Sequence, residues 1–178
     1  TPILFFSRRI GIDGQNIVPT RVGGRLTGRA GKYTVGALFM QTDELSEKGV
    51  PATGFSVLRI KRDVFQRSNI GIIATHRSQS LSSDGSNSVL GADANLTFFQ
   101  NMDINAYYSR TETSGVNEGQ KDNESYRGRF SYGTDSYGVE LEHLVVGDGF
   151  NPEIGFLRRS DFAKSGAVVR VTPRMTRW

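Results

Sequence analysis

The side chains of this sequence that could do chemistry are mainly arginines and carboxylates that recur at even spacings. Three groups show the spacing: Arg21, Arg25 and Arg29; Arg127 and Arg129; Glu140 and Glu142. Residues two or four apart in a β-strand lie on the same face of that strand. The spacing therefore predicts charged faces on extended strands, not a compact catalytic cluster.

No combination of residues predicts a catalytic, metal or cofactor site. Histidine occurs only at His76 and His143, cysteine is absent, and no short metal-ligand spacing exists. The oxygen-rich segment 147–155 lacks the acidic spacing of an EF-hand loop, and no Gly-x-Ser-x-Gly sequence is present. We therefore expect no catalytic residue, no metal and no cofactor.

The composition indicates a folded chain that is not a helical membrane protein. Hydrophobic residues make up 37% of the 178 residues and aromatic residues 10%, which is too apolar for disorder. No run of about 18 apolar residues exists, as a membrane-spanning helix requires. The net charge of +4 is spread along the chain, so we expect no nucleic-acid partner. Because the sequence opens at Thr1 without an initiator methionine, we expect a fragment or a processed chain.

The elements that position the charged residues are about ten segments of alternating apolar and polar residues. They cover residues 2–10, 17–29, 33–42, 54–65, 69–78, 88–99, 103–112, 125–133, 136–146 and 163–173. Tight turns alternate with long polar connections at 43–52, 79–87, 113–124 and 148–161. This rhythm predicts one all-β domain over residues 1–178, an antiparallel up-and-down meander. It is typical of a transmembrane β-barrel or a section of one.

Three hairpins predict specific cross-strand neighbours. Around residues 133–136, Tyr132 is expected opposite Tyr137, which places Arg129 against Glu140 and Arg127 against Glu142. Around residues 31–32, Ala30 is expected opposite Tyr33, and around residues 100–102, Phe98 opposite Ile104. Each register keeps apolar pairs on one face and polar pairs on the other, and a slip of one residue would exchange the faces.

The polar face of such a barrel would line its interior, whereas the apolar face and its aromatic residues would contact lipid. Aromatic pairs lie near the predicted strand ends, as interfacial girdles would require: Phe5 and Phe6, Tyr33 and Phe39, Phe98 and Phe99, Tyr107 and Tyr108, Tyr132 and Tyr137. The predicted lumen-facing residues are Arg21, Arg25, Arg29, Arg59, Asp93, Arg127, Arg129, Glu140 and Glu142.

Four phrases of the sequence resemble a known family in their order and spacing. They are Phe5-Phe6-Ser7-Arg8-Arg9-Ile10-Gly11, residues 23–28 (GGRLTG), residues 57–63 (VLRIKRD) and residues 148–162 (DGFNPEIGFLRRSDF). Together they resemble the domain-of-unknown-function 5916 family over nearly the whole chain. The resemblance implies an outer-membrane β-barrel region of Gram-negative bacteria, commonly following a module similar to family 9 carbohydrate-binding domains. It implies no established activity and no catalytic residues.

We therefore expect a bacterial outer-membrane protein in contact with the lipid bilayer, and not an enzyme. Its role would be passage, surface display or binding of a carbohydrate or a small anionic solute. One alternative is a soluble β-sandwich or jelly-roll that binds glycans, whose apolar face would be packed inside. A less favoured alternative is a glycoside hydrolase fragment, in which Glu140 or Glu142 would be one of two close carboxylates in a cleft.

Overall fold

The computed structural model describes residues 1–13, 16–115 and 122–172, and these residues form an all-β fold. The main element is a nine-stranded antiparallel meander in the order β11-β10-β9-β8-β7-β6-β5-β4-β3, and β1 and β2 pair in a separate small sheet. The strands are β1 Ile12–Asp13, β2 Asn16–Ile17, β3 Thr20–Ala30, β4 Tyr33–Thr42, β5 Gly54–Phe65, β6 Ser68–Arg77, β7 Asn87–Phe98, β8 Met102–Thr113, β9 Glu124–Gly133, β10 Tyr137–Val146 and β11 Phe162–Val171.

All predicted strands except the first are present, and the predicted meander is confirmed. The last predicted strand ends at Val171, and Pro173 lies outside the described residues. Short turns join the strands at one end of the sheet, the turn rim, and the long connections lie at the other, the loop rim. Part of the predicted connection 113–124, residues 116–121, also lies outside the described residues.

The prediction of a strand over residues 2–10 is wrong. This segment contains the three-residue 3-10 helix Ser7–Arg9 and one isolated bridge, Ile3 to Phe156. The Phe6 and Phe156 rings lie 6.1 Å apart, and Leu4 packs against the buried cluster around Phe150. Contacts with the distant segment 147–161 therefore hold these residues, and alternation alone did not reveal that partner.

The nine main strands separate their side chains onto two faces. We call the face that carries Arg59, Asp93 and Glu142 the polar face, and the opposite face, with Leu26, Ile72 and Leu90, the apolar face. Cross-strand pairs such as Gly71 with Asp93 and Ile72 with Ala92 keep the two sets apart. The faces predicted from alternation are thus the faces of the folded sheet.

Two of the three predicted registers are wrong by two residues. The Ala30–Tyr33 pair is present, but Phe98 lies opposite Met102 and Tyr132 opposite Val139. The loop after Phe98 is a three-residue turn in which Phe99 takes a positive φ of 57°, so the ladder extends further than expected. At the other hairpin, the Thr134 N–H donates to the Tyr137 carbonyl at 2.6 Å. This turn lies one residue later in the chain than predicted. A shift of two residues leaves every side chain on its predicted face.

Most of the buried residues lie on the polar face near the loop rim. Leu144 and Val146 of β10 pack with Phe150 into a small core, to which Leu4 and Phe162 also contribute. Among the described residues the helical segments are two 3-10 turns of three residues, and no helix there could span a bilayer.

Candidate functional site

The register places eight of the nine predicted lumen-facing residues on the polar face. A β-bulge between Thr20 and Val22 leaves the ninth, Arg21, out of the ladder, and its Nε lies 4.0 Å from Asp43 Oδ1 at the loop rim. Since a bulge adds one residue to one strand, the placement of Arg21 with Arg25 and Arg29 stays a prediction. That the others line a lumen stays a prediction.

An ion pair in the middle of the polar face spans three strands. Arg59 of β5 reaches across β6 to contact the carboxylate of Asp93 on β7. Gly71 lies beneath the guanidinium, where an added Cβ would come within 2.8 Å of Arg59 Nη2. The glycine therefore provides the space that this crossing requires.

The predicted ion pairs of β9 and β10 are confirmed as diagonal contacts. Arg127 Nε donates to Glu142 Oε1 at 2.6 Å, and Arg129 Nη2 lies 2.8 Å from Glu140 Oε2. Lys164 of β11 adds a second cation at 3.6 Å from Glu142. The two-residue shift in register preserves the pairs because long side chains reach diagonal neighbours on the same face.

The arginines of β3 differ from one another in their partners. Arg29 Nη2 donates to Asp63 Oδ2 at 2.7 Å. Arg25 has no ion-pair or hydrogen-bond partner within the described ranges. It borders a cavity of about 600 Å³, together with Phe5, Arg59 and Asp93. Two guanidinium groups beside one carboxylate leave this cavity with an excess of positive charge, which suits an anionic group.

A buried polar cluster at the loop rim was not predicted. The Glu153 carboxylate, with its side chain 1% exposed, lies 3.7 Å from Arg77 Nε. Its oxygens accept hydrogen bonds from Ser80 Oγ at 2.6 Å, the Leu81 N–H at 2.9 Å and Ser82 Oγ at 3.2 Å. We call these residues the Glu153 hub. Sequence reasoning noted the oxygen-rich segment 147–155, but nothing in it indicated that a basic residue 76 positions earlier would be the partner.

The Glu153 hub fastens the connection 147–161 across the polar face at the loop rim. Asn87 of β7 donates from Nδ2 to the Asn151 carbonyl at 3.0 Å, and Ile154 is fully buried. The N-terminal segment crosses beside it, where the Phe6 N–H donates to the Ile154 carbonyl at 2.9 Å. Two peptide segments thus cover the loop-rim half of this face, whereas the charged turn-rim half is open.

The apolar face is bare across the sheet. Leu26 is 69% exposed, Leu90 64% and Ile72 50%. Two open depressions of about 910 and 590 Å³ run over this face between its large and small side chains. Leu58, Leu90 and Ala92 line the larger one, and Ile60, Ile70 and Ala94 the smaller.

Aromatic residues flank this bare face at both rims. Tyr33, Phe98 and Tyr132 lie at the turn rim, and Phe39, Tyr108 and Tyr126 toward the loop rim. Tyr33 and Phe39 are about 20 Å apart along β4, at roughly 3.3 Å per residue. Three predicted members are misplaced: Phe5 and Phe6 belong to the N-terminal segment, and Tyr107 points to the polar face, where its hydroxyl contacts Ser125 Oγ at 2.9 Å.

No protein-family model, curated protein or solved structure matches this chain. The resemblance to the domain-of-unknown-function 5916 family therefore stays a prediction.

Proposed function

We propose that this chain forms part of the wall of a β-barrel in a bacterial outer membrane. The observation that carries the proposal is the inverted burial of the sheet: the apolar face is bare and the charged face is partly covered. Water disfavours a continuous apolar surface of this extent, whereas lipid accommodates it. A soluble sandwich would bury this face against a second sheet, and the described residues contain only the two-residue strands of β1 and β2 besides the meander.

Strand length and aromatic placement support the same proposal. The nine main strands contain 10 to 12 residues, and a membrane-spanning strand needs about 9 to 11. The two aromatic rows frame the apolar band as interfacial girdles do, and the band between them is comparable with the roughly 25 Å apolar belt of such barrels. The long connections share one rim, which would face the outside of the cell.

The polar face supports passage or binding as the role of this wall, with no catalysis. Its carboxylates are engaged by cations: Glu140 by Arg129, Glu142 by Arg127 and Lys164. The open cavity beside Arg25 and Arg59 would suit a small anionic solute or a carbohydrate that carries an acidic group. Surface display remains compatible with the same wall, since it requires only the loops.

Cysteine labelling in intact cells tests this proposal, because the 178 residues contain no cysteine of their own. Ile72→Cys would lie in the middle of the apolar face and Thr27→Cys on the polar face, both at exposed positions. In a membrane, a water-soluble maleimide should label Thr27→Cys after the outer membrane is permeabilised and should leave Ile72→Cys unlabelled.

Two further positions report the orientation. Asp84→Cys in a long connection should be labelled in intact cells, and Ser136→Cys in a short turn only after permeabilisation. Equal labelling of Ile72→Cys and Thr27→Cys would sink the proposal, because both side chains would then contact water.

A further inference from the structure

The two outer strands of the meander, β3 and β11, both have a free edge. They stand at opposite ends of the nine-stranded order, and no backbone hydrogen bond joins them within residues 1–13, 16–115 and 122–172. β3 contains 11 residues and β11 contains 10, so each edge presents a long row of unpaired N–H and C=O groups. Lipid offers such groups no hydrogen-bond partner, so a sheet in a membrane must have both edges paired.

Free edges in water are protected by prolines, by charges on the exposed side, by very short strands or by β-bulges. Neither edge strand is short or contains a proline, and the one bulge of β3 lies at its loop-rim end. On β3 the apolar face carries Val22, Gly24 and Leu26, and on β11 it carries Ala167 and Val169, without a charge among them. The charged residues of both strands, apart from Arg21 in the bulge, lie on the polar face: Arg25 and Arg29 on β3, Lys164 and Arg170 on β11. Both edge strands therefore have the residue pattern of interior barrel strands.

The direction of the strands decides what can pair with these edges. Each strand of the meander is antiparallel to its neighbour, so β3 and β11 run in the same direction. Joining β3 to β11 would close nine strands with a parallel pair. A second copy rotated about the membrane normal would meet the same obstacle, and a copy turned upside down would place its long loops on the wrong side of the membrane.

We propose that an odd number of further antiparallel β-strands, from polypeptide outside these 178 residues, joins β3 to β11 and completes the barrel. The proposal rests on the membrane-spanning function proposed above. An odd number is required because it makes the total even, so every neighbouring pair is antiparallel, as in bacterial single-chain barrels. The strands that flank β3 and β11 run opposite to both.

The peptide segments on the polar face indicate that the added strands number more than one. A barrel of about eight strands has an interior that side chains alone fill. Here the interior side also holds the segment 1–13 and the connection 147–161, including the buried Phe150 and Ile154. A ten-stranded barrel would leave little room for two backbone segments, so three or more added strands fit better.

Photo-crosslinking in the whole protein, as its cell makes it, tests the proposal. A photoreactive residue is placed at Val22 or Leu26 on β3, or at Val169 on β11, and the linked peptides are identified by mass spectrometry. Both edges are expected to link to peptides outside residues 1–178. Moving the probe from Val22 to Leu26 should move the linked site toward the N-terminus of its partner, as antiparallel pairing requires. A probe at Ile72 in the interior strand β6 serves as the control and should link only to β5 or β7.

Four results would overturn the proposal. The first two are a link between β3 and β11 within one molecule and the same link between two isotopically distinguished copies. The other two are no link beyond β4 and β10, and a partner strand that runs parallel to β3. Fractionation of the same cells tests the proposed function separately. If the expected links form but the protein is absent from the outer membrane, the membrane role is refuted and the pairing of the two edges stands.

Discussion

Replacing Glu153 by glutamine should release the connection 147–161 from the polar face. The substitution keeps the size of the side chain and removes its charge, leaving Arg77 buried, with 2% of its side chain exposed. Removing one partner of a buried ion pair costs about 3–5 kcal/mol. Asp13 still lies 3.5 Å from Arg77 Nη2, and glutamine can still accept from the Leu81 N–H, so we expect about 3 kcal/mol.

Amide hydrogen exchange measures this effect at the connection itself. The Phe156 N–H donates to the Ile3 carbonyl at 2.7 Å and is protected only while the two segments stay docked. A loss of about 3 kcal/mol corresponds to roughly 100-fold faster exchange, since each 1.4 kcal/mol is tenfold. Exchange in the middle of β6 and β7 should change far less, because the ladder there does not involve Glu153.

Glu140→Gln is the matched control for this substitution. Glu140 also pairs with an arginine, at 2.8 Å, but its side chain is 39% exposed. An ion pair of that exposure contributes about 0–1 kcal/mol, so Phe156 exchange should stay within about fivefold of the unsubstituted protein.

A second variant tests whether the buried charge is the cause. Adding Arg77→Met to Glu153→Gln removes the buried guanidinium that has lost its Glu153 partner, so Phe156 should exchange more slowly than in Glu153→Gln alone. The reasoning is refuted if Glu153→Gln changes Phe156 exchange no more than Glu140→Gln does, or if Arg77→Met makes it faster still.

Three further predictions address the two faces and the packing between them. Ile72→Arg, in the middle of β6 on the apolar face, should lower the free energy of unfolding in lipid bilayers by about 2–4 kcal/mol, and Thr27→Arg by less than about 1, measured by urea titration; equal losses would contradict a lipid-facing surface. Gly91→Val should displace Leu4, since an added Cβ would come within 2.7 Å of Leu4 Cδ1, and should cost about 1–3 kcal/mol with faster proteolysis in residues 1–13. Gly128→Val, with open space around its Cβ, is the control for that variant, and unchanged proteolysis of Gly91→Val would speak against the docking of the N-terminal segment. Arg59→Gln should shift the reversal potential of the reconstituted protein toward cation selectivity, because the Asp93 carboxylate loses its partner. Arg62→Gln on the apolar face is the control and should leave the reversal potential unchanged. An unchanged reversal potential in Arg59→Gln would show that this ion pair does not line an ion pathway.

The sequence by itself determined the class of fold and the two faces of the sheet. Side chains alternate along a strand with a period of two, so the placement of Arg127 with Arg129, and of Glu140 with Glu142, follows from local spacing alone. This is why both ion pairs formed although the predicted register was wrong by two residues. Faces depend on parity, whereas register depends on the geometry of each turn, such as the positive φ at Phe99.

Only the tertiary structure decided which residues far apart in sequence meet. The hub of Glu153 joins Arg77 and residues 80–82 to the connection 147–161, and the N-terminal segment reaches Phe156 through Ile3. No local periodicity encodes such contacts, since they depend on where the chain returns after several strands. The same reason explains residues 2–10, whose alternating pattern packs against a loop instead of joining the sheet.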